Sequence, residues 1–79
     1  MTNITEGQVY TVNITVSTWQ FDAQFVMVPL DLREDDIFLV VNVEKTFLTI
    51  VIDGRSVDLG LETFKFLCEW GYISAIANV

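Results

Sequence analysis

The most polar segment of the chain, residues 31–36, places four carboxylates within six positions. The four are Asp31, Glu34, Asp35 and Asp36. Such oxygens suit a hard cation such as Ca²⁺, and paired carboxylates can act as acid and base in hydrolysis. The spacing lacks the Asp-x-Asp-x-Asp-Gly pattern of a calcium loop, and no glycine in the segment could fold it around an ion. We therefore expect a solvated loop or a contact surface for a partner, and no metal site.

Nucleophilic chemistry has few candidates, because histidine is absent and Cys68 is the single cysteine. The absence of histidine excludes Ser-His and Cys-His nucleophile systems, histidine-ligated metals and histidine acid–base catalysis. Cys68 cannot form an internal disulfide, which favours a reducing compartment. No basic leader or apolar stretch of membrane-spanning length is present. We therefore expect a cytoplasmic protein that is not an enzyme and has no cofactor and no membrane partner.

Acidic residues outnumber basic ones, with eleven Asp and Glu against four Lys and Arg, for a formal net charge of −7. Direct binding to nucleic acid or anionic lipid requires a basic patch, so this balance argues against both. No cation precedes Arg33, and a face built from the first part of the chain is expected to be uniformly negative. Fixed carboxylates can imitate a row of phosphates and speed encounter with a basic cleft. The alternative explanation is solubility, since net charge keeps an apolar-rich domain from aggregating.

Strands are expected to position these side chains. Residues 10–17 alternate β-branched and polar side chains, which predicts a strand with one buried face. After a break at residues 19–22, extended character resumes over residues 23–28 and reaches Pro29, which ends a strand or marks a sheet edge. These two strands are expected to form a hairpin.

Two apolar runs, residues 37–43 and 47–52, predict central strands that are apolar on both faces. Asp53 and Gly54 then suit the positive φ angles of a tight turn into a short return strand.

A helix is indicated over about residues 60–70, where the hydrophobic period changes to that of an α-helix. Asp58 is a candidate N-cap, and Gly71 suits the left-handed residue after the last turn. Phe66 and Trp70 are four residues apart at the border of the polar stripe, so at least one of them should be partly exposed. Aromatics on the rim of an acidic surface are favoured anchors of protein interfaces. The alternative is that they pack in the core, where aromatics at helical spacing are found more often than in contacts.

The expected fold is therefore α+β, in a single domain over residues 1–79. It has an antiparallel sheet of five to six strands, the helix packed on one face, and a short final strand. One helix covers one face only, so the second apolar face must be hidden by curling of the sheet, by dimerisation or by a partner.

In size and charge, although in no motif, the chain resembles the small acidic proteins with which phages and mobile elements inhibit host or defence enzymes. The resemblance implies an inhibitor that blocks a basic, nucleic-acid-handling protein, acting as a mimic of DNA. The expected partner-binding residues are Asp22, Asp31, Glu34, Asp35, Asp36, Phe66 and Trp70. The alternative is a self-associating structural module that uses the second sheet face as a homodimer interface.

Overall fold

A computed structural model describes residues 4–76 of the chain. Within that range it contains one antiparallel sheet of seven strands and one helix, which confirms the α+β class. The elements are β1 (Val9–Val12), β2 (Val16–Phe21), β3 (Met27–Leu32), β4 (Ile37–Val43), β5 (Phe47–Ile52), β6 (Arg55–Gly60), α1 (Leu61–Glu69) and β7 (Ile73–Ala75). No helix within residues 4–76 is long and apolar enough to cross a membrane.

The strand order in the sheet is β3-β2-β6-β5-β4-β1-β7, which separates β1 from β2 by four strand positions. In a flat sheet this separation would be about 19 Å, at about 4.8 Å per strand. The chain from Val12 to Val16 reaches at most about 14 Å. The sheet therefore has to curl, so that β1 and β2 can be consecutive in sequence while lying far apart in strand order.

The first predicted strand is divided in two, and this is why the sheet has one strand more than expected. β1 pairs with β4 and β7, whereas β2 pairs with β3 and β6. Inward-facing residues alternate on both sides of the division, so the bend at residues 13–15 leaves the period of two intact. The hairpin expected from the first two strands is formed by β2 and β3 instead.

The predicted break at residues 19–22 is wrong, since β2 continues to Phe21. The following strand also begins later than expected, at Met27. Pro29 lies within β3, which has a neighbour on one side only, so the expected sheet edge is confirmed. The tight turn at Asp53 and Gly54 is also confirmed, with φ angles of 52° and 73°.

Buried side chains from the helix and from every strand except β2 form one hydrophobic cluster, and the partly buried Val16 of β2 packs against it. The fully buried members of the central strands and the helix are Phe38, Val40, Leu48, Ile50, Leu59 and Phe64. Phe64 packs edge-on against Tyr10 and Phe38, with ring centroids 5.0 and 6.1 Å away. The helix thus covers the inner face of the curled sheet, as expected.

The helix ends show one correction and one confirmation. The N-cap is Gly60, which makes no side-chain cap hydrogen bond, so the expectation for Asp58 is wrong. Asp58 lies in β6, where its Oδ1 accepts a 2.6 Å hydrogen bond from Thr49 Oγ1 of β5. Gly71 adopts a φ of 78° after the helix, and its N–H donates to the Cys68 carbonyl.

Candidate protein-binding surfaces

The turn between β3 and β4 is fixed by hydrogen bonds on both of its sides. The Arg33 N–H donates to Asp36 Oδ2 at 3.0 Å, and the Asp36 N–H donates back to the Arg33 carbonyl. The Asp35 N–H donates to the Val12 carbonyl at 2.8 Å, and the Val12 N–H donates to the Asp36 carbonyl. Asp35 itself has a φ of 73°. These hydrogen bonds therefore fix the backbone of the turn and the carboxylate of Asp36.

Glu34 adds a bond between this turn and the bend that joins β1 to β2. Its N–H donates to Thr15 Oγ1 at 3.0 Å, while its own carboxylate is exposed. Asp35 is exposed as well, and Asp36 is half-buried. Of the three acidic side chains in the turn, two thus face solvent on an anchored backbone.

Asp31 lies on β3, where Ser17 Oγ of β2 donates to its Oδ1 at 2.7 Å. Together with Asp36 it lines an open cleft of about 620 Å³. The other residues that line this cleft are Gln20, Pro29, Leu30, Arg33, Asp53 and Arg55. The structure therefore brings Asp31 and Asp36 together, as the sequence suggested.

The expectation of a uniformly negative face is wrong at this cleft. Arg33 and Arg55 line it beside three carboxylates, so two of the chain's four cations stand among the acids. The three carboxylates belong to Asp31, Asp36 and Asp53. Sequence reasoning missed Asp53 and Arg55 as neighbours of the acidic segment. The sequence did contain the signal for this. Since β4 and β5 form a hairpin, Asp36, which precedes β4, and Asp53, which follows β5, meet at the same end of it.

Asp22 lies apart from the other predicted acids, in the turn between β2 and β3. Its Oδ1 accepts hydrogen bonds from the N–H groups of Gln24 and Val26, at 2.9 and 3.0 Å. Since Asp31 pairs with Ser17 near the opposite end of that hairpin, Asp22 is about five residues, or about 16 Å, away along β2. Asp22 is therefore separated from residues 31–36 by nearly the length of this hairpin, and the structure does not bring it into their cluster.

Phe66 and Trp70 both lie on the solvent side of the helix end. They are 51% and 67% exposed, which confirms the expected exposure. Their rings are tilted by 31° with centroids 5.3 Å apart, so each covers part of the other. The helix buries Phe64 and Leu67 instead, and these hold it to the sheet. The aromatic pair is thus available to a partner without loss of core packing.

The helix end and the acidic turn are joined through the bend at residues 13–15. Asn13 Nδ2 donates to the Gly71 carbonyl at 3.1 Å, and the Asn13 N–H donates to the Tyr72 carbonyl at 2.7 Å. The same bend accepts the Glu34 N–H at Thr15. Ile14 lies in this bend and is 53% exposed, so the alternation over residues 10–17, which places it on the buried face of a strand, is wrong at this position. We call the surface of Ile14, Glu34, Asp35, Phe66 and Trp70 the acidic end.

A second surface is the outside of the curled sheet, opposite the core. Ile37, Leu39 and Val41 of β4 are 60%, 37% and 40% exposed there. Cross-strand pairing places Val9 of β1 and Val51 of β5 on either side of Leu39. We call this surface the outer face; its residues are Val9, Thr11, Ile37, Leu39, Val41, Thr49 and Val51. Curling thus buries one apolar face of the central strands and leaves the other open.

The thiol of Cys68 is half-buried on the helix. Burial, and secondarily the nearby Glu69 carboxylate, raises the pKa of this thiol from 9.0 to about 11. At neutral pH it is therefore protonated and weakly nucleophilic. Within residues 4–76, no group of three or more Asp, Glu and Cys side chains is arranged to hold a metal ion.

Comparison of the chain with protein-family models, curated proteins and solved structures finds no match.

Proposed function

We propose that this chain is a non-enzymatic binding protein that inhibits a basic protein partner through the acidic end. The observation that carries the proposal is the anchoring of two recognition features to one short bend. The Glu34 N–H donates to Thr15 of the bend, and the Asp35 N–H donates to Val12, which directly precedes the bend. Trp70 precedes Gly71, whose carbonyl accepts a hydrogen bond from Asn13 of the bend. Carboxylates and exposed aromatics on one fixed surface are the chemistry that recognises a lysine- or arginine-rich protein.

The two kinds of side chain would have different tasks in such a complex. The net charge of −7 and the exposed carboxylates attract a basic partner over a distance and raise the association rate. Phe66 and Trp70 supply apolar area that becomes buried on contact, which slows dissociation. Because the turn is already fixed, little ordering of the backbone opposes binding.

Nucleic-acid mimicry is the narrower form of the proposal. In this form the partner uses a groove that normally holds phosphates, and the carboxylates of Glu34 and Asp35 take the place of two phosphates. Arg33 and Arg55 weaken the imitation within the cleft, so the mimic surface is confined to the exposed acids of the turn. The reducing compartment favoured by the lone Cys68 makes the cytoplasm the proposed place of action.

A comparison of matched baits tests the proposal. The first variant replaces the four acids of residues 31–36 by their amides: Asp31→Asn, Glu34→Gln, Asp35→Asn and Asp36→Asn. The amides retain acceptor oxygens for the bonds from Ser17 and Arg33, and asparagine tolerates the φ of 73° at position 35. The control variant removes four acids elsewhere: Glu6→Gln, Asp22→Asn, Glu44→Gln and Glu62→Gln.

Each bait is incubated with lysate of the native source, and captured proteins are quantified by mass spectrometry. We expect a basic protein to be enriched by the parent and control baits and reduced at least about tenfold with the four-amide bait. Displacement of that protein by added duplex DNA would support mimicry. Equal capture by the parent and the four-amide bait would contradict the proposal, whatever DNA does.

A further inference from the structure

We infer that Phe66 and Trp70 recognise an arginine side chain of the partner, in preference to a lysine. This inference rests on the proposed function and names the residue type that the aromatic part of the acidic end receives. Both rings are more than half exposed, while Phe64 and Leu67 hold the helix to the sheet. The aromatic pair therefore adds nothing to the core and is open to a ligand.

Two carboxylates flank the rings on the same helix. Glu62 lies four residues before Phe66 and Glu69 three residues after it, and residues at these spacings are neighbours on a helix surface. Both glutamates are exposed. Lys65, the one cation of the helix, is half-buried and lies on the far side of Glu62 and Glu69 from the rings, at about 3.6 residues per turn. The exposed helix face thus combines two aromatic rings with two carboxylates.

The rings form one continuous aromatic surface, because their centroids are 5.3 Å apart and their planes are tilted by 31° only. A cation within about 6 Å of a ring centroid is attracted by the electrons of the ring face, and tryptophan provides the strongest attraction. Trp70 is also the more exposed of the two rings. A cationic side chain of the partner is therefore expected to lie on Trp70.

Arginine and lysine differ in what they can form on this surface. A guanidinium is planar, so it can stack on a ring while its N–H groups, which lie in the same plane, donate to carboxylates beside the ring. The lysine ammonium is more strongly hydrated and has to lose part of that hydration to approach a ring face. Because Glu69 directly precedes Trp70, an arginine can make both interactions together. The surface should therefore favour arginine.

Two dye-labelled peptides of equal length and charge test the inference, with arginines in one and lysines in the other, each separated by Gly and Ser. Fluorescence anisotropy measures their affinities for the purified chain at about 50 mM salt, where screening is weak. We expect the parent to bind the arginine peptide at least about threefold more tightly than the lysine peptide. In the double variant Phe66→Leu with Trp70→Leu, which retains apolar side chains but no ring, this ratio should fall to about one.

Trp19→Leu is the matched control, because Trp19 lies on β2 outside the acidic end and is 51% exposed. It should leave the ratio unchanged, and circular dichroism checks that each variant is folded. The four-amide variant separates this inference from the proposed function. Loss of charge at residues 31–36 should weaken the binding of both peptides by a similar factor and leave the preference for arginine.

Equal affinity of the parent for the two peptides, or no measurable binding of the arginine peptide, would overturn the inference. Neither result would alter the capture test of the proposed function, which depends on the acids of residues 31–36. A preference for arginine that persists in the double leucine variant would overturn the inference as well, and so would one that Trp19→Leu removes, because the contact would then lie elsewhere.

Discussion

The acidic end and the outer face are both exposed, but they consist of different kinds of side chain. The acidic end presents carboxylates on a turn fixed by hydrogen bonds, with aromatic side chains beside it. The outer face presents apolar and hydroxyl side chains, with a bulge in β4 between Val40 and Asn42 and the Asp58 carboxylate at its border, bonded to Thr49. Binding at the acidic end would be driven partly by long-range attraction, whereas an exposed apolar side chain contributes only when it becomes buried.

The largest expected effect is a difference in stability loss between a residue of the core and a residue of the outer face. Ile50 and Val51 are neighbours on β5, the first fully buried and the second on the outer face. Ile50→Ala should lower the free energy of unfolding by about 2–5 kcal/mol, because it leaves a cavity in the core. Val51→Ala should cost about 1 kcal/mol or less, since a strand position without core contacts loses mainly β-propensity.

Urea denaturation measures the free energy of unfolding of both variants. Equal losses would show that the outer face supports the fold as the core does, and the contrast between the two faces would be lost.

A smaller effect is expected at the aromatic pair. Trp70→Ser removes the more exposed of the two rings, and we expect it to weaken partner binding by about 2 kcal/mol, the loss typical of a central aromatic anchor. Calorimetry with the captured partner measures this loss, and circular dichroism checks that the variant is folded. A Trp70→Ser variant that binds the partner as tightly as the parent would contradict the role given to this ring.

The smallest expected effect is on the alkylation rate of the Cys68 thiol. Because this thiol is half-buried on the helix, its alkylation rate shows whether the helix stays packed when Phe66 or Trp70 is changed. The pKa of about 11 lies two units above the ordinary value of 9.0, so the thiolate fraction at pH 8 is about 100-fold smaller. The greater nucleophilicity of a more basic thiolate partly offsets this. Alkylation by iodoacetamide should therefore be about tenfold slower in the folded chain than in urea, and should accelerate up to about pH 11.

The same raised pKa affects stability at high pH. Above pH 9 the unfolded thiol loses its proton while the folded thiol retains it, so the free energy of unfolding falls as pH rises toward 11. Cys68→Ala should reduce this fall. Alkylation at equal rates in the folded and unfolded chain would contradict the burial assigned to the thiol.

Much of the fold is predictable from local sequence patterns. The alternation of apolar and polar residues predicts the strands, the change to a helical hydrophobic period predicts the helix, and the Asp-Gly pair predicts a tight turn. Each of these patterns extends over a few residues only. The division of the first strand is not, since the residues on both sides of 13–15 continue one alternation. Asp58 shows a similar limit. It precedes the helix closely enough to look like a cap, but its carboxylate is taken by Thr49 of the neighbouring strand. That competition exists only once β5 and β6 are paired.

The assembly of the acidic end depends on pairing between strands that are distant in sequence. Trp70 is far from Glu34 in sequence, and the two come to the same bend because β7 pairs beside β1. The acidic segment and the aromatic pair could each be identified from the sequence. Their attachment to residues 13–15, and the cations beside Asp31 and Asp36, required the curled sheet.

The central claim, that the acids of residues 31–36 dock on a basic partner, is tested most directly by measuring association with that partner at two salt concentrations. The parent and the four-amide variant are compared at about 50 and about 500 mM salt, where screening is weak and strong. At low salt the variant should bind at least about tenfold more weakly, or about 1.4 kcal/mol, with a melting temperature within a few degrees of the parent. At high salt this difference should shrink. A four-amide variant that binds as tightly as the parent at low salt would contradict the account.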